Sequence, residues 1–412
     1  MQLGTDEFSH LMVALPTVGK RFAVAVSGGA DSLALCLLCA EWAVQHGKKL
    51  IALSVNHGLR AEAEGECQWV SQALSHYNVE HHILTGTSEA PKSDIQAAAR
   101  ELRYQLMQDF CIDHDISDLF LAHHQDDQAE TFLLRLARGS GVDGLSAMKP
   151  VTQRGHLRLL RPLLTVPKAS LVSYLEERNQ SWIEDPSNEN TAFERVKMRK
   201  AMGALAELGL TPHRLSQTAG TMQRVSGVMT RLSQDWLAQN FRLFEEAYGE
   251  FSHSALSQGE EEVILRCLSR IGMAISGEIY PPRFEKLQKL LGKLLAKQDA
   301  TLMGCRWINQ GEDILVCREV RLNEVSSNIY QIDNHHSKSA YYVRMLGQDG
   351  WAEIIKCDET LRQSPLVKPV LYSLISFWDD KGVLAVPHLD YVRENESFEV
   401  DLALIAKKRL FS

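Results

Sequence analysis

Short apolar runs alternate with helical patterns over roughly the first two hundred residues, and this limits the chain to a narrow set of folds. Phe22–Val26, Leu50–Val55, Val79–Leu84 and Leu119–Ala122 read as buried strands. Between and after them, helical patterns fall at about Ser32–Gln45, Glu62–His76, Ser93–Asp113 and Asp126–Arg138. That spacing implies right-handed crossovers and a parallel, doubly wound sheet. Ligands of such sheets lie at the carboxyl ends of the strands, so the residues just after each strand matter most. A further helix is expected after Val166-Pro167, where proline suits the first turn.

From about Leu205 the texture changes. Helical periodicity dominates through Lys297, with no regular strand alternation. Thr301–Arg306 and Ile314–Arg318, separated by Asn-Gln-Gly-Glu-Asp, predict a hairpin with a longer loop. Asn323–Ser339 is polar and is the best linker candidate, and the rest predicts a small β-rich module ending in a short helix. Three parts are therefore expected: an α/β domain over 1–205, a mainly helical domain with a hairpin over 206–320, and a linker with a small C-terminal module over 321–412. At 412 residues the chain exceeds one ordinary hydrophobic core. With a net charge of −8 it carries no global basic field, so a nucleic-acid partner needs a local basic face. The longest apolar stretch, Leu33–Val44, is broken by Glu41 and too short for a membrane span. Asp6 and Glu7 precede the first basic residue, Lys20, unlike the basic start of a signal peptide. Eight cysteines make no disulfide framework in a chain this long, and a soluble, cytoplasmic protein is expected.

Directly after the first strand comes Ser27-Gly28-Gly29-Ala30-Asp31-Ser32, then an apolar helix. Two glycines permit a tight turn, and amides at a helix N-terminus make an anion site suited to a phosphate. Ser27 and Ser32 add hydroxyl donors, and Asp31 a carboxylate able to hold Mg²⁺ beside a phosphate. The loop lacks the Gly-Lys-Ser/Thr of a Walker A sequence. The Gly-x-Gly-x-x-Gly string at Gly139–Gly144 follows a helix rather than a strand and is rejected as a dinucleotide site.

Ser-Gly-Gly-x-Asp-Ser after a first strand resembles the PP-loop of the N-type ATP pyrophosphatases. Further segments narrow the resemblance: Asn56-His57-Gly58-Leu59-Arg60; Ala99-Arg100-Glu-Leu-Arg103-Tyr104; His123-His124-Gln125-Asp126-Asp127-Gln128-Ala129-Glu130-Thr131; Arg161-Pro162-Leu163-Leu164; and Trp182-Ile-Glu184-Asp185-Pro186-Ser187-Asn188. In this order, across about residues 20 to 200, they resemble the tRNA(Ile)-lysidine synthase family. That resemblance implies an ATP-dependent ligase that adenylates the C2 carbonyl of the wobble cytidine of tRNA(Ile) with a CAU anticodon. It then attaches free L-lysine and releases AMP. It also implies ATP contacts by Ser27–Ser32, His57 and Arg100. The pattern departs at Arg195-Val196, where the family commonly has Arg-Asn, although Arg195 and Arg199 both remain. Oligomeric state is left open, a dimer included.

The chemistry needs pyrophosphate held, its charge neutralised and the α-phosphate exposed. Asp31 and Asp127 are the candidate Mg²⁺ ligands, and Asp127, Glu130 and His124 the candidate bases for lysine's ammonium. Asp126 is a candidate helix cap instead. Glu130 and Thr131 read equally as solvent-facing residues of an ordinary helix, and Arg100 as a surface charge that shares a face with Tyr104. Trp182 reads as a packing residue rather than a platform for a base. Cys36 and Cys39, the only C-x-x-C, lie in an apolar helix and read as core. This sets against a PP-loop tRNA thiolase, which remains the alternative enzyme beside a catalytically inactive nucleotide- or tRNA-binding module.

Room for a polyanion is sought in two basic clusters. One is Arg195, Lys197, Arg199 and Lys200. The other is Pro281–Lys297, which reads as one helix opened by proline, where Leu287, Leu290, Leu291, Leu294 and Leu295 predict a buried stripe and Lys286, Lys289, Lys293 and Lys297 fall largely on the other side.

Overall fold

The computed structural model describes residues 3–56, 63–86, 95–184, 194–320, 330–334, 341–393, 400–404 and 410. His57 and the Asp185–Asn188 segment lie outside the described residues, as does most of the expected linker Asn323–Ser339. The chain divides into two compact units, Met1–Ser226 and Gly227–Ser412.

The first unit begins with α1 (Thr5–Val13), β1 (Arg21–Ala25), α2 (Ala30–Gln45) and β2 (Lys49–Asn56). It continues through α3 (Ala63–Ser75), β3 (Glu80–Thr85), α4 (Ile95–Asp113), β4 (Asp118–Phe120) and α5 (Gln125–Ala137). After α6 (Val142–Leu145) come β5 (Val151–Arg154), β6 (Leu157–Leu160), α7 (Lys168–Glu176), α8 (Glu194–Glu207) and α9 (Pro212–Asn240), within which the unit boundary falls. The sheet order is β3-β2-β1-β4-β6-β5, parallel except for β5, which pairs antiparallel with β6 at the edge. The four expected strands are all present. The hairpin β5–β6 is an addition that the sequence reading did not anticipate.

Connectivity decides where a ligand binds. From β1 the chain winds outward through β2 to β3, then returns by α4 to place β4 on the other side of β1. The strand order therefore reverses between β1 and β4, which opens a crevice at their carboxyl ends. Val24 and Phe120 are in register, so the loop after β1 and the segment after β4 leave the sheet side by side. Helix α2 is buried along most of its length because apolar residues occupy nearly every position from Leu33 to Cys39. Phe22, Trp42 and Phe120 pack as a cluster of rings beneath it.

Cys36 and Cys39 are fully buried in this core, and burial pushes the Cys36 thiol up to about 12. All eight cysteines are free, and only Cys357 is exposed. Changing Cys36 and Cys39 together to alanine is expected to cost about 1–2 kcal/mol per site, the usual range for small core truncations. Pyrophosphate release should persist. Thermal unfolding measured beside turnover checks both halves, and loss of turnover with an unchanged melting temperature would refute the packing role.

The second unit is less helical than the sequence predicts. Strands β7 (Arg242–Leu243) and β8 (Gly249–Ser252) precede α10 (His253–Gln258), α11 (Glu261–Ser276) and α12 (Phe284–Leu295). Then follow β9 (Ala300–Leu302), β10 (Cys305–Gln310) and β11 (Asp313–Arg318), giving an antiparallel sheet in the order β7-β8-β11-β10-β9. The expected strand Thr301–Arg306 is broken by a turn at Met303-Gly304. The expected long loop is mostly strand, because Gln310 pairs with Asp313 and leaves only Gly311-Glu312 as the turn. Gly311 has φ +73°, a conformation that needs no Cβ. Fully buried Trp307 anchors the core against α11 and Leu287, Leu290, Leu291 and Leu294 of α12. The helix opens at Phe284 rather than at Pro281, and Leu295, expected in the buried stripe, is exposed because it lies at the last turn, beside the buried row. Within the expected linker, β12 (Tyr330–Asn334) is a strand.

Beyond it lie β13 (Tyr342–Met345), α13 (Gly347–Cys357), α14 (Lys368–Ser373), β14 (Ile375–Asp379), β15 (Gly382–Val386), β16 (Tyr391–Val392) and β17 (Val400–Leu404). Strands β13 to β16 form one antiparallel sheet in sequence order, and β17 pairs with β12. Among the described residues, no helix is long and apolar enough to cross a membrane.

Candidate active site

The loop after β1 closes on itself. The Ser32 hydroxyl donates to the Gly29 carbonyl at 3.0 Å and accepts from the Ser27 amide at 3.1 Å. Ser32 therefore organises the loop rather than offering a spare donor. Gly28 has φ +88°, and a Cβ built there would lie 2.7 Å from Ile183 Cδ1. The Ile183 amide donates to the Gly28 carbonyl at 2.9 Å, so the chain after α7 straps the loop. Gly29 caps α2, and the first helical bond runs from the Leu33 amide to the Gly29 carbonyl. The amides of Ala30, Asp31 and Ser32 precede that bond, and such unpaired N–H groups suit a phosphate.

A buried chain of hydrogen bonds holds the end of β1 from behind. Ser54 on β2 donates its hydroxyl to the Val26 carbonyl at 2.7 Å. It therefore accepts from Nε2 of His81, 2.8 Å away on β3, which leaves His81 Nδ1 to accept from the Ser71 hydroxyl of α3 at 2.6 Å. Each proton has one place, and the ring is neutral. Desolvation, assisted by the neighbouring charge of His82, lowers its pKa to about 4. Burial lowers His123 to about 4 as well, opposed by Asp127 and assisted by Arg161, Arg100 and Arg195. Between these values and an unfolded histidine near 6.5, the unfolded chain binds protons that the folded chain refuses. Stability is therefore expected to fall as pH drops from about 6.5 towards 4. The His81 share is on the order of 1 kcal/mol after allowing for solvent screening at a half-buried ring. Melting temperatures across that range should show the decline in the wild type and a shallower one in His81→Asn. A flat wild-type profile would contradict it.

Beside the loop, the segment after β4 brings in its own carboxylates. His124 is the N-cap of α5: its backbone amide donates to Asp127 Oδ2 at 3.0 Å, and its Nδ1 accepts from the Asp127 amide at 3.4 Å. Asp127 is thus the capping partner of its own helix. Asp126, expected as that cap, instead accepts from the Lys168 amide at the start of α7 at 2.9 Å. His124 Nε2 lies 3.4 Å from Asp31 Oδ2 and 3.4 Å from Asp127 Oδ2. The two predicted metal ligands therefore converge on a single nitrogen. Burial opposes a charged His124 ring, but Asp31, Asp127 and Asp126 outweigh it and raise its pKa. Burial likewise pushes the Asp31 carboxyl up, yet His124, Lys168 and Arg199 hold it below its ordinary value. Asp31 Oδ1 is buried with no hydrogen-bond partner, an oxygen able to take a cation, while no group of three or more His, Cys, Asp or Glu side chains arranged to hold a metal occurs among the described residues.

Glu130 and Thr131 are buried rather than solvent-facing. Glu130 Oε1 accepts from Arg199 Nε at 2.7 Å, tying α5 to α8, while Glu130 Oε2 is buried without a partner. Val196, at the position where the family commonly has Asn, is buried, while Arg195, Lys197 and Lys200 are exposed on α8. Arg100 is exposed and donates to the Tyr104 hydroxyl at 3.2 Å, and Trp182 packs against the core. Lys168 was missed, and Arg161 was quoted in a motif without being given a role. Lys168 Nζ lies 3.8 Å from Asp31 Oδ2, a pairing across 137 positions that no local pattern signals. Arg161 is buried and donates Nη1 to the Lys149 carbonyl and Thr152 hydroxyl, both at 3.0 Å, while its Nε has no partner. The motif Arg161-Pro162 marked this arginine in the sequence, and only the structure shows that it is buried.

A glycine loop at the switch point, a helix N-terminus and converging aspartates define a PP-loop nucleotide-binding enzyme, and residues 5–205 match the family model of the PP-loop domain. The chain is 34% identical over 401 residues to the tRNA(Ile)-lysidine synthase of Wolbachia pipientis wMel, covering 94% of this chain and 93% of that protein. It therefore belongs to the tRNA(Ile)-lysidine synthase family. The enzyme of the same name from Bradyrhizobium diazoefficiens is 38% identical over 280 residues, covering 66% of this chain and 77% of that one. Among solved structures, a U34-tRNA thiolase from Methanococcus maripaludis with a [4Fe-4S] cluster is similar at TM-score 0.46 and 17% identity, over 53% of this chain and 77% of that chain.

Proposed function

We infer that this chain uses ATP to convert the wobble cytidine of tRNA(Ile) to lysidine, with free lysine as the second substrate. The observation that carries this reading is the similarity over nearly the whole chain to a tRNA(Ile)-lysidine synthase. The cytidine C2 oxygen is a poor leaving group. Transfer of AMP to it, with loss of pyrophosphate, turns it into a phosphodiester, and a neutral amine can then displace AMP at carbon. Ser27–Ser32 would hold the phosphates. Asp31 and Asp127 would hold Mg²⁺, which supplies charge neutralisation as pyrophosphate departs. His57 and Arg100 are proposed nucleotide contacts.

The second step needs a proton taken from lysine's ammonium. Glu130 supports that role with one oxygen fixed by Arg199 and the other buried and unpartnered. Asp127 and His124 are the neighbouring alternatives. Arg195, Lys197 and Lys200 on α8 and Lys286, Lys289 and Lys293 on α12 are proposed contacts to the tRNA backbone, with Arg199 shared between Glu130 and the α8 cluster. Buried Cys36 and Cys39 support ligation over thiolation. The test combines ATP, Mg²⁺, lysine and unmodified tRNA and follows pyrophosphate release, with mass spectrometry of the nucleosides. Lysidine that forms only when both lysine and tRNA are present is the expected result. A requirement for a sulfur donor, or no turnover, would overturn it.

A further inference from the structure

Helix α11 ends at Gly277, whose φ of +82° closes the last turn onto the Met273 carbonyl. Six residues then lead to α12, and they are unusual for a surface. Ile279 is 70% exposed, Tyr280 80% and Phe284 55%. Leu287, Leu290, Leu291 and Leu294 further along are buried in the core, so the apolar groups before and at the start of the helix have been left outside while its middle packs normally. Pro281-Pro282 stiffens the connection, because each ring fixes its own φ and restricts the residue before it. Exposed rings on a stiff support lose little conformational freedom on binding.

Charge narrows the partner. Arg283, Lys286, Lys289 and Lys293 are all exposed, and none forms an ion pair among the described residues, whereas Lys297 pairs with Glu312 at 3.6 Å. Glu278 and Glu285 are the only acids from Gly277 to Lys297. Cations interleaved with ring faces suit a polyanion that also offers flat apolar surfaces, which is single-stranded nucleic acid with unstacked bases. An anionic membrane would need a broader apolar face, and here the leucine stripe of α12 is spent on the core.

We propose that this corner binds unpaired nucleotides of the tRNA: Tyr280 and Phe284 receive bases on their ring faces, and Arg283, Lys286 and Lys289 receive phosphates. The proposal rests on tRNA being the substrate. It goes beyond backbone contact by lysines, because stacking on rings distinguishes unpaired nucleotides from a helical stem.

The test uses the full chain and measures binding of unmodified tRNA, a single-stranded RNA oligonucleotide and an RNA duplex with equal phosphate number, each across a salt series. Tyr280→Ala with Phe284→Ala should weaken binding of tRNA and the single strand by roughly tenfold per ring, the usual scale for base–aromatic stacking. The salt slope should not change, because no charge is lost. Duplex binding should barely change. Lys286→Gln with Lys289→Gln should instead lower the slope by about 0.7–0.9 per lost contact. Tyr280→Phe and Phe284→Tyr keep the rings and should retain affinity. Wild-type affinity in the double alanine variant, with tRNA still bound and modified, would overturn this proposal and leave the enzyme reading intact. Failure of the wild type to bind or modify tRNA would instead remove the reading on which it rests. A double variant that changes sedimentation, or that releases phosphatidylserine vesicles bound by the wild type, while tRNA affinity holds, would assign the corner to a second copy or to a membrane and also overturn it.

Discussion

Asp31→Asn should reduce pyrophosphate release by on the order of 10²–10³-fold, the scale seen when one electrostatically stabilising group is removed from a reacting centre. The substitution keeps the shape of the side chain and leaves the backbone of the loop unchanged. What it removes is the charge that His124, Lys168 and Arg199 all face. Asp31 Oδ1 has no partner to lose, so the fold gives up the pairing of Oδ2 with His124 and a longer, half-exposed one with Lys168. Melting temperature should therefore move by a few degrees at most while turnover collapses. Pyrophosphate release beside thermal unfolding separates the two effects, and near-wild-type turnover would remove Asp31 from the phosphate and metal site.

Gly28→Ala should be nearly as damaging by a different route. Its φ of +88° is strained for any residue with a Cβ, at about 1–2 kcal/mol. The added methyl would also lie 2.7 Å from Ile183 Cδ1, so Ile183 must shift. Ile183 is bonded through its amide to the Gly28 carbonyl, and the strap therefore moves with the loop. A loop displaced by even half an ångström would misalign the amides of Ala30, Asp31 and Ser32 with the phosphates they are proposed to hold. The expected result is a raised KM for ATP, a kcat at least tenfold lower, and a loss of stability of about 1–3 kcal/mol. Steady-state kinetics over ATP concentration, with urea unfolding, measure all three. A variant with unchanged KM would mean that the loop does not hold the nucleotide in this conformation. Ile183→Ala in the same background should recover part of the kcat, since it removes the atom in the way.

Much of the first unit was legible in the sequence because a parallel sheet buried on both faces demands continuous apolar strands and regularly spaced helices. Phe22–Val26 and Leu33–Cys39 announce themselves by composition. The loop between them was legible too, since two glycines and a short acid between a strand and an apolar helix leave few other uses. The second unit was harder. Strands β7 and β8 are two and four residues long, so the alternation of Gly249-Glu-Phe-Ser is too short to signal a strand by itself. They are strands because β11 offers them an edge, with Phe251 opposite Ile314. The break at Met303-Gly304 was hidden by apolar residues on both sides of the turn.

The residue types of the candidate site, Asp31, His124, Asp127 and Glu130, and their places after β1 and β4, could be read from the sequence, because such sheets place their ligands at the carboxyl ends of the strands. Which of them meet was decided by tertiary structure alone. Asp127 is spent partly on capping its own helix, and Asp126 on capping α7. His124 is held between Asp31 and Asp127, and Glu130 is buried against Arg199, 69 residues later in the chain. Lys168 joins them only because α7 starts beside the switch point. Linear spacing encodes the local geometry of a helix or strand. Electrostatic partners come from whichever elements the sheet order sets side by side, and that order follows from burying both faces of the sheet at once.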